Sequence, residues 1–255
     1  MKQNFFHIAL NKKIAKNTFF MILEGRLECV LKPGQFINIK IDGFFLRRPI
    51  SICDIYRDSI IIIYKIFGQG TQKLSEFSKG KVLDILYDLG NGFNLENAYN
   101  KNVVLVGGGV GVSPLYFLAK NIEKNCKSLK VILGFKTKSE VFFEKEFKKI
   151  LSIHNKDDSF ELNYVTVVTE DGSFGSKGLT TDVLKNLKHD YYFSCGPKTM
   201  LRAISNLGKD GEISLEERMA CGFGVCMGCS CKTLYGNKRV CTEGPVFKSS
   251  EVIFE

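Results

Sequence analysis

The sequence predicts two folds in series, a small Greek-key β-barrel and then a parallel-sheet α/β domain, closed by a short cysteine-rich lobe. Three observations carry that reading. Short apolar runs alternate with turn residues over 1–98, strand-like and helix-like runs alternate over 99–210, and five cysteines crowd between Cys221 and Cys241.

In the first region the apolar runs are Phe5–Leu10, Phe19–Leu23, Phe36–Ile41, Ile50–Cys53, Ile60–Phe67 and Val82–Leu86. Gly25, Pro33-Gly34, Asp42-Gly43 and Gly90 punctuate them. Six short strands so spaced predict a small closed barrel, with one helix over Gln72–Phe77. In the second region Val103–Val106, Val131–Phe135, Tyr164–Val168 and Tyr191–Ser194 are β-branched or aromatic. Helical patterns lie between or after them at Pro114–Glu123, Phe142–Leu151, Leu179–Leu187 and Pro197–Leu207. Such alternation implies parallel strands joined by crossover helices. Pro114 and Pro197 stand at the first helical turn, where a missing N–H costs nothing. The third region, 211–255, is too short and loop-rich for a conventional core, so a metal centre is expected to staple it.

Composition narrows the function classes. With 44% hydrophobic and 25% charged residues the chain is an ordinary globular protein, which excludes disorder and a disulfide-dense mini-protein. The net charge of +9 is spread thinly, +5 over 1–96, +5 over 97–210 and −1 over 211–255. A nucleic-acid binder concentrates its positive charge on one stripe, so a solvated lysine surface is the better reading. The apolar run at the N-terminus is broken by Asn11, Lys12 and Lys13, too early for a signal peptide. No stretch approaches the ~20 apolar residues of a membrane span. A soluble, cytoplasmic protein is expected, with its thiols reduced.

In that setting a cysteine cluster points to metal or iron–sulfur ligation before disulfides. The spacing is Cys221-x4-Cys226-x2-Cys229-x11-Cys241, the C-x4-C-x2-C plus distant cysteine of plant-type [2Fe–2S] proteins. Gly222, Gly224 and Gly228 between the ligands let the backbone wrap and aim N–H groups at sulfur. A zinc ribbon is the alternative, but it needs two Cys-x2-Cys pairs and only Cys226–Cys229 forms one. Cys231 is surplus and is read as packing.

Two further motifs suit nucleotides. Val103–Val106 runs into Gly107-Gly108-Gly109-Val110-Gly111-Val112-Ser113-Pro114, a strand, glycine turn and helix start that can cradle a pyrophosphate. The pattern is G-x-G-x-x-P, without the usual third glycine. Ser194-Cys195-Gly196-Pro197 ends the last strand of the same region. Both motifs would line one crevice at the carboxyl ends of the sheet, with Cys195 either near a nicotinamide or in the core. In the barrel, Arg47 and Arg48 precede Pro49-Ile50-Ser51, so that guanidinium groups could hold a pyrophosphate and the Ser51 hydroxyl a flavin ring nitrogen. The alternative is a solvated arginine pair before an edge strand.

Pro33-Gly34-Gln35-Phe36, Arg48-Pro49-Ile50-Ser51, Gly68-Gln69-Gly70-Thr71, Gly109 to Pro114 and Cys195-Gly196-Pro197, in that order, resemble the ferredoxin–NADP⁺ reductase superfamily. Glu217-Arg218-Met219-Ala220-Cys221-Gly222 and Cys241-Thr242-Glu243-Gly244-Pro245-Val246-Phe247 narrow the resemblance. Nearly the whole chain is similar to the electron-transfer subunits of class 1B dihydroorotate dehydrogenases. The resemblance implies an FAD-binding barrel over 1–98, an NAD-binding domain over 99–210 and a [2Fe–2S] lobe over 211–255. It implies FAD at Arg48, Pro49, Ile50, Ser51, Ile63, Tyr64, Lys65, Gly70 and Thr71. NAD falls to Gly107, Gly108, Gly109, Gly111 and Ser113, with Cys195 and Gly196 opposite, and the cluster to Cys221, Cys226, Cys229 and Cys241.

Two positions depart from the superfamily pattern. Ile50 stands where an aromatic residue often stacks on the flavin, which leaves that role to Tyr64 or another group, and Tyr87-Asp88 replaces a Gly-Pro turn near the flavin. The implied activity passes electrons from dihydroorotate oxidation, at FMN in a separate catalytic subunit, through the cluster and FAD to NAD⁺, in pyrimidine biosynthesis. On that implied mechanism no residue of this chain need act as a general base. The implied assembly is a heterotetramer of two copies of each chain. Two rivals stand beside this reading: the flavin subunit of an NAD(P)H–ferredoxin oxidoreductase or sulfhydrogenase, and a non-enzymatic zinc and nucleotide-binding regulatory module. Lys136 and Lys138, after the second strand of the nucleotide domain, could accept a 2′-phosphate, so the residues alone leave NAD against NADP open.

Overall fold

A computed structural model describes residues 1–152 and 164–254. Strands β1 (Lys2–Ala15), β2 (Thr18–Glu24), β3 (Phe36–Ile39), β4 (Arg48–Tyr56), β5 (Ser59–Lys65) and β6 (Val82–Leu89) correspond to the six predicted runs. They close into an antiparallel barrel in the order β1-β2-β5-β4-β3-β6. Alternation along β3 sorts its side chains: Ile37 and Ile39 enter the barrel core with Phe6, Met21 and Ile62, while Phe36 joins a different apolar cluster outside the barrel. Helix α1 (Gln69–Ser75) begins three residues before its predicted start, because Gly68 at φ 108° supplies the turn out of β5.

The second domain carries β7 (Asn102–Gly108), α2 (Val112–Ile122), β8 (Ser128–Phe135), α3 (Glu144–Ser152), β9 (Val165–Thr169), β10 (Ser176–Lys177), α4 (Thr180–Lys185), β11 (Tyr191–Cys195) and α5 (Lys198–Ser205). Along β7, Val103 and Leu105 pack with α2 and α3, and Val104 and Val106 with Leu201 and Ile204 of α5, so the sheet is buried on both faces. Helix α2 also reaches the barrel. Lys120 on α2 pairs with Asp54 on β4 at 2.7 Å, and Phe117 joins the barrel core.

The C-terminal segment adds β12 (Gly211–Ser214), β13 (Ser230–Thr233), β14 (Gly236–Arg239) and β15 (Val246–Lys248). The sheet order is β10-β9-β8-β7-β11-β12-β15, parallel except for β15, which runs antiparallel to β12. The cysteine region therefore leaves the sheet at β12 and returns to it at β15. Between them β13 and β14 form a hairpin in which Cys231 lies opposite Lys238. Among the described residues, no helix is long and apolar enough to cross a membrane.

One expectation is corrected by the barrel itself. Arg47, read as one of a guanidinium pair available to a pyrophosphate, is already engaged within the barrel. Its guanidinium donates to the Asp84 carboxylate at 2.8 Å and to the Asp84 carbonyl at 2.9 Å, across β6. Asp84 is held below its ordinary 3.8: partial burial would raise it, and the Arg47 and Gln3 donors outweigh that. A depressed carboxylate contributes stability above its unfolded pKa and loses it as pH falls through the folded value. Arg47→Met is expected to lower stability by about 1–2 kcal/mol at neutral pH. Denaturant midpoints of the two proteins should converge as the pH falls below 3.8; a gap that persists there contradicts the assignment.

Candidate functional site

Two cavities meet between the barrel and the sheet. One, of about 520 Å³, is bordered by Arg48, Pro49, Ile50, Ser51, Ile63, Tyr64, Lys65 and Thr71 from the barrel, and by Leu215, Arg218, Met219 and Pro245 from the C-terminal segment. The other, of about 450 Å³, is bordered by Gly108 and Gly109, by Lys136 and Glu170, and by Pro197, Thr199 and Met200. Both volumes suit a nucleotide-sized ligand. Lys65, Phe67, Val110 and Glu216 border both, so the cavities share a wall. Lys65 is fixed there by an ion pair with Glu140 at 3.1 Å.

Arg48 lies across the first turn of α1. Its guanidinium donates to the Leu46 carbonyl and sits 5.0 Å above the Phe44 ring. A Cβ on Gly70 would stand 2.2 Å from the Arg48 Nε. Gly70 does not border the cavity itself, and its missing Cβ makes room there for Arg48. Thr71 closes the same turn, its hydroxyl accepting the Phe67 N–H at 2.7 Å and donating to the Gly68 carbonyl at 3.2 Å.

Tyr64 borders the cavity, but its ring does not face it. The side chain is 1% exposed. Its ring stacks on Phe19 at 5.6 Å and its hydroxyl donates to Asn11 Oδ1 at 3.0 Å. That corrects the expectation that Tyr64 covers a flavin. Phe67, 89% exposed on the shared wall, is the aromatic group the sequence reading missed. Tyr87 and Asp88 also turn away: Tyr87 packs edge-on against Phe6 in the barrel core, and Asp88 accepts from the Met1 amine and Gln35.

The sheet brings the two glycine motifs together. β8 and β9 lie on one side of β7 and β11 on the other, so the chain reverses its winding between β7 and β11. Gly107 and Gly108 end β7 there and Gly109 to Gly111 lead into α2, while Cys195 ends β11 with Gly196 and Pro197 just beyond it. A Cβ on Gly111 would lie 2.4 Å from the Cys195 carbonyl oxygen, so the loops touch only because that residue has none. Gly109, by contrast, is open to the cavity with nothing near its Cβ position. Gly107, Ser113 and Gly196 border neither cavity and act on it through packing. Cys195 is 1% exposed, and burial, with Glu216 nearby, pushes its thiol up against a weaker Ser214 contact. It belongs to the core rather than to the nicotinamide.

The cysteines form two sulfur pairs. Cys221 interacts with Cys226, and Cys229 with Cys241. Partial burial works against ionisation of Cys221, but N–H groups of Phe223, Cys226 and Val225, the last at 3.3 Å, hold it well below the ordinary thiol range. Burial holds Cys229 above that range, and the Cys241 N–H approaches its sulfur at 3.4 Å. Among the described residues no three His, Cys, Asp or Glu side chains converge as around a single ion. Two thiol pairs with N–H groups aimed at sulfur fit a two-iron cluster, in which each iron takes two thiolates. Cys231 is partly buried and packs against the apolar cluster that holds Cys229 and Cys241. The inner pair, Cys229 and Cys241, is buried, while Cys226 is exposed.

The comparisons agree with this geometry. Residues 216–253 match the iron–sulfur cluster binding domain of dihydroorotate dehydrogenase B, and 105–206 match the oxidoreductase NAD-binding domain. A Fusobacterium nucleatum protein named as the electron transfer subunit of dihydroorotate dehydrogenase B (NAD(+)) is 45% identical, with 96% of each chain covered. A Geobacillus protein of the same name is 41% identical over 99% of each. The chain belongs to the family of dihydroorotate dehydrogenase B electron-transfer subunits. An NADH-dependent reduced ferredoxin-NADP oxidoreductase structure superposes with a TM-score of 0.83 at 28% identity, covering 97% of this chain and 89% of that one. A Neisseria gonorrhoeae ferredoxin NADP⁺ reductase shares the fold, with a TM-score of 0.66 at 17% identity over 86% of this chain and 94% of that one.

Arg48→Ala removes the guanidinium that the barrel contributes to the larger cavity. FAD is expected to bind about 2 kcal/mol more weakly, roughly thirtyfold, with the protein folded. Flavin absorbance after gel filtration reads this; full retention excludes Arg48 from the site.

Proposed function

We propose that this chain carries electrons from dihydroorotate oxidation, performed at FMN in a catalytic partner subunit, to NAD⁺ for pyrimidine biosynthesis. Its cofactors are FAD, a [2Fe–2S] cluster and NAD. The observation that carries the reading is adjacency. Leu215 to Met219 and Pro245, which flank the cysteine ligands in sequence, wall the cavity bordered by Arg48 to Ser51, and that cavity shares a wall with the nucleotide cavity. When bound, FAD supplies the exchange between single electrons from the cluster and a hydride for NAD⁺.

The residues of this chain bind and orient. Arg48 takes the FAD pyrophosphate, and Ser51 a flavin ring nitrogen. Pro49, Ile50, Ile63, Lys65 and Thr71 shape the same cavity. The loop of Gly107 to Ser113 takes NAD, with Gly109 nearest the ligand. Cys221, Cys226, Cys229 and Cys241 hold the cluster. The working units are residues 1–98 for FAD, 99–210 for NAD and 211–255 for the cluster, with β12 and β15 anchoring the last to the NAD sheet.

The partner docks over the outer thiol pair. Phe223, Val225 and Met227 are 40%, 74% and 52% exposed around Cys226. Apolar side chains left bare around a ligand loop suit a surface that another subunit covers. The assembly is two copies of each chain. NADH is preferred over NADPH, in keeping with the relatives' names.

Cys221→Ser, Cys226→Ser, Cys229→Ser and Cys241→Ser should each lose iron and acid-labile sulfide, and Cys231→Ser should keep them. An equal loss in Cys231→Ser overturns the ligand assignment. Alone, the chain should oxidise NADH with artificial acceptors and leave dihydroorotate untouched. Co-expressed with the FMN subunit, it should couple dihydroorotate oxidation to NAD⁺ reduction, and Phe223→Asp should weaken co-purification. Coupling to ferredoxin instead would favour the oxidoreductase reading, whose layout the structure with TM-score 0.83 shares.

A further inference from the structure

We infer that Asn38, a residue of the flavin barrel, is a positioning residue for the iron–sulfur cluster. The inference rests on the proposed ligand set and extends it to a side chain outside the cysteine lobe. On β3, the neighbours Ile37 and Ile39 point into the barrel, so the Asn38 amide points outward beneath the lobe. It is 1% exposed. Its Nδ2 donates to the backbone carbonyl of Cys221 at 3.3 Å. Its Oδ1 is buried and has no partner among the described residues.

A buried amide is costly unless bonded, and an unpaired acceptor adds to that cost. An apolar side chain would pack there without either penalty. What the amide gains is one bond, and that bond falls on the first cysteine ligand. The next residue is shaped to allow it. Gly222 has φ 78°, and a Cβ on it would stand 2.4 Å from the Asn38 Nδ2. A side chain at 222 would push the amide off the Cys221 carbonyl.

Asn38 also sits in register with the flavin motif. It lies opposite Pro49 on β4, with Arg48 opposite Ile39 and Ile50 opposite Ile37. Its carbonyl accepts from Arg47 at 3.4 Å, and Arg47 is locked to Asp84. The backbone of Asn38 is thus tied to the strand that borders the flavin cavity, and its side chain to the cluster loop. The arrangement fixes the outer thiol pair relative to that strand. Outer-shell donors of this kind orient ligands and tune the centre they hold.

The test compares Asn38→Asp and Asn38→Leu with wild-type protein purified anaerobically. Asn38→Asp keeps the shape and replaces the donor with an anion; Asn38→Leu keeps the bulk and removes the donor without charge. Both should retain FAD. Both should release iron to a chelator roughly tenfold faster and change the EPR spectrum of the dithionite-reduced cluster. The midpoint potential of the cluster should move to more negative values in Asn38→Asp, and less far in Asn38→Leu. Wild-type iron retention, spectrum and potential in both variants would overturn the inference while leaving the ligand assignment intact. Loss of flavin in parallel with iron in both would overturn it too, because Asn38 would then support the barrel as a whole. Wild-type protein that holds no acid-labile sulfide would instead overturn the ligand assignment beneath it.

Discussion

The cysteine lobe has no core of its own, and the site depends on how it is seated. Cys229, Val240, Cys241 and Phe247 share one apolar cluster with Phe36, Leu86 and Leu89 on the outer face of the barrel and with Val104 and Val106 of the sheet. β15 adds the backbone half of the seat by pairing with β12. Asn91, just beyond β6, supplies the polar half: its side chain donates to the Glu243 and Val246 carbonyls at 3.0 and 2.9 Å and accepts the Val246 N–H at 3.0 Å. Barrel, sheet and lobe are therefore one packing problem. Removing apolar surface at that junction would displace the cysteine ligands as well as cost stability.

That seat explains why the cavities and the cysteines are neighbours. The lobe leaves β12 through Leu215 to Met219 and returns through Pro245, and those residues form one wall of the cavity that faces Arg48. The segment proposed to hold the cluster thus also encloses the cavity proposed for FAD. On the other side, Phe67 and Val110 separate the flavin cavity from the nucleotide cavity by a single shared wall. The thiol pairs add direction: Cys229 and Cys241 are buried, while Cys221 is partly exposed and Cys226 reaches solvent.

Much of this was legible in the sequence. The six barrel strands and the four strands and helices of the second domain follow from local periodicity, which needs no knowledge of partners. The cysteine spacing was legible because ligand chemistry fixes it. What was not legible depends on long-range pairing. β12 and β15 are four and three residues long, and only the sheet edge makes them strands. Arg47 and Arg48 look alike in sequence, yet Arg47 lies just before β4 and is captured by Asp84, while Arg48 opens β4 and borders the cavity. Tyr64 carried an aromatic signal that the barrel core used, pairing it with Phe19 and Asn11. Gly70 and Gly111 read as ligand-contacting glycines, and the structure adds a second demand on each: their missing Cβ atoms make room for Arg48 and for the Cys195 carbonyl.

The proposed connection of a nicotinamide site, a flavin site and a cysteine-held cluster in one chain has a direct physical consequence: the hydride of NADH should reach the iron as single electrons. Its most direct test is EPR spectroscopy of the isolated, anaerobic protein after addition of NADH alone. NADH is expected to bleach the flavin absorbance and to produce the signal of a reduced [2Fe–2S] cluster with no other reductant present. A cluster that dithionite reduces but NADH leaves silent, with the flavin fully reduced, would contradict it.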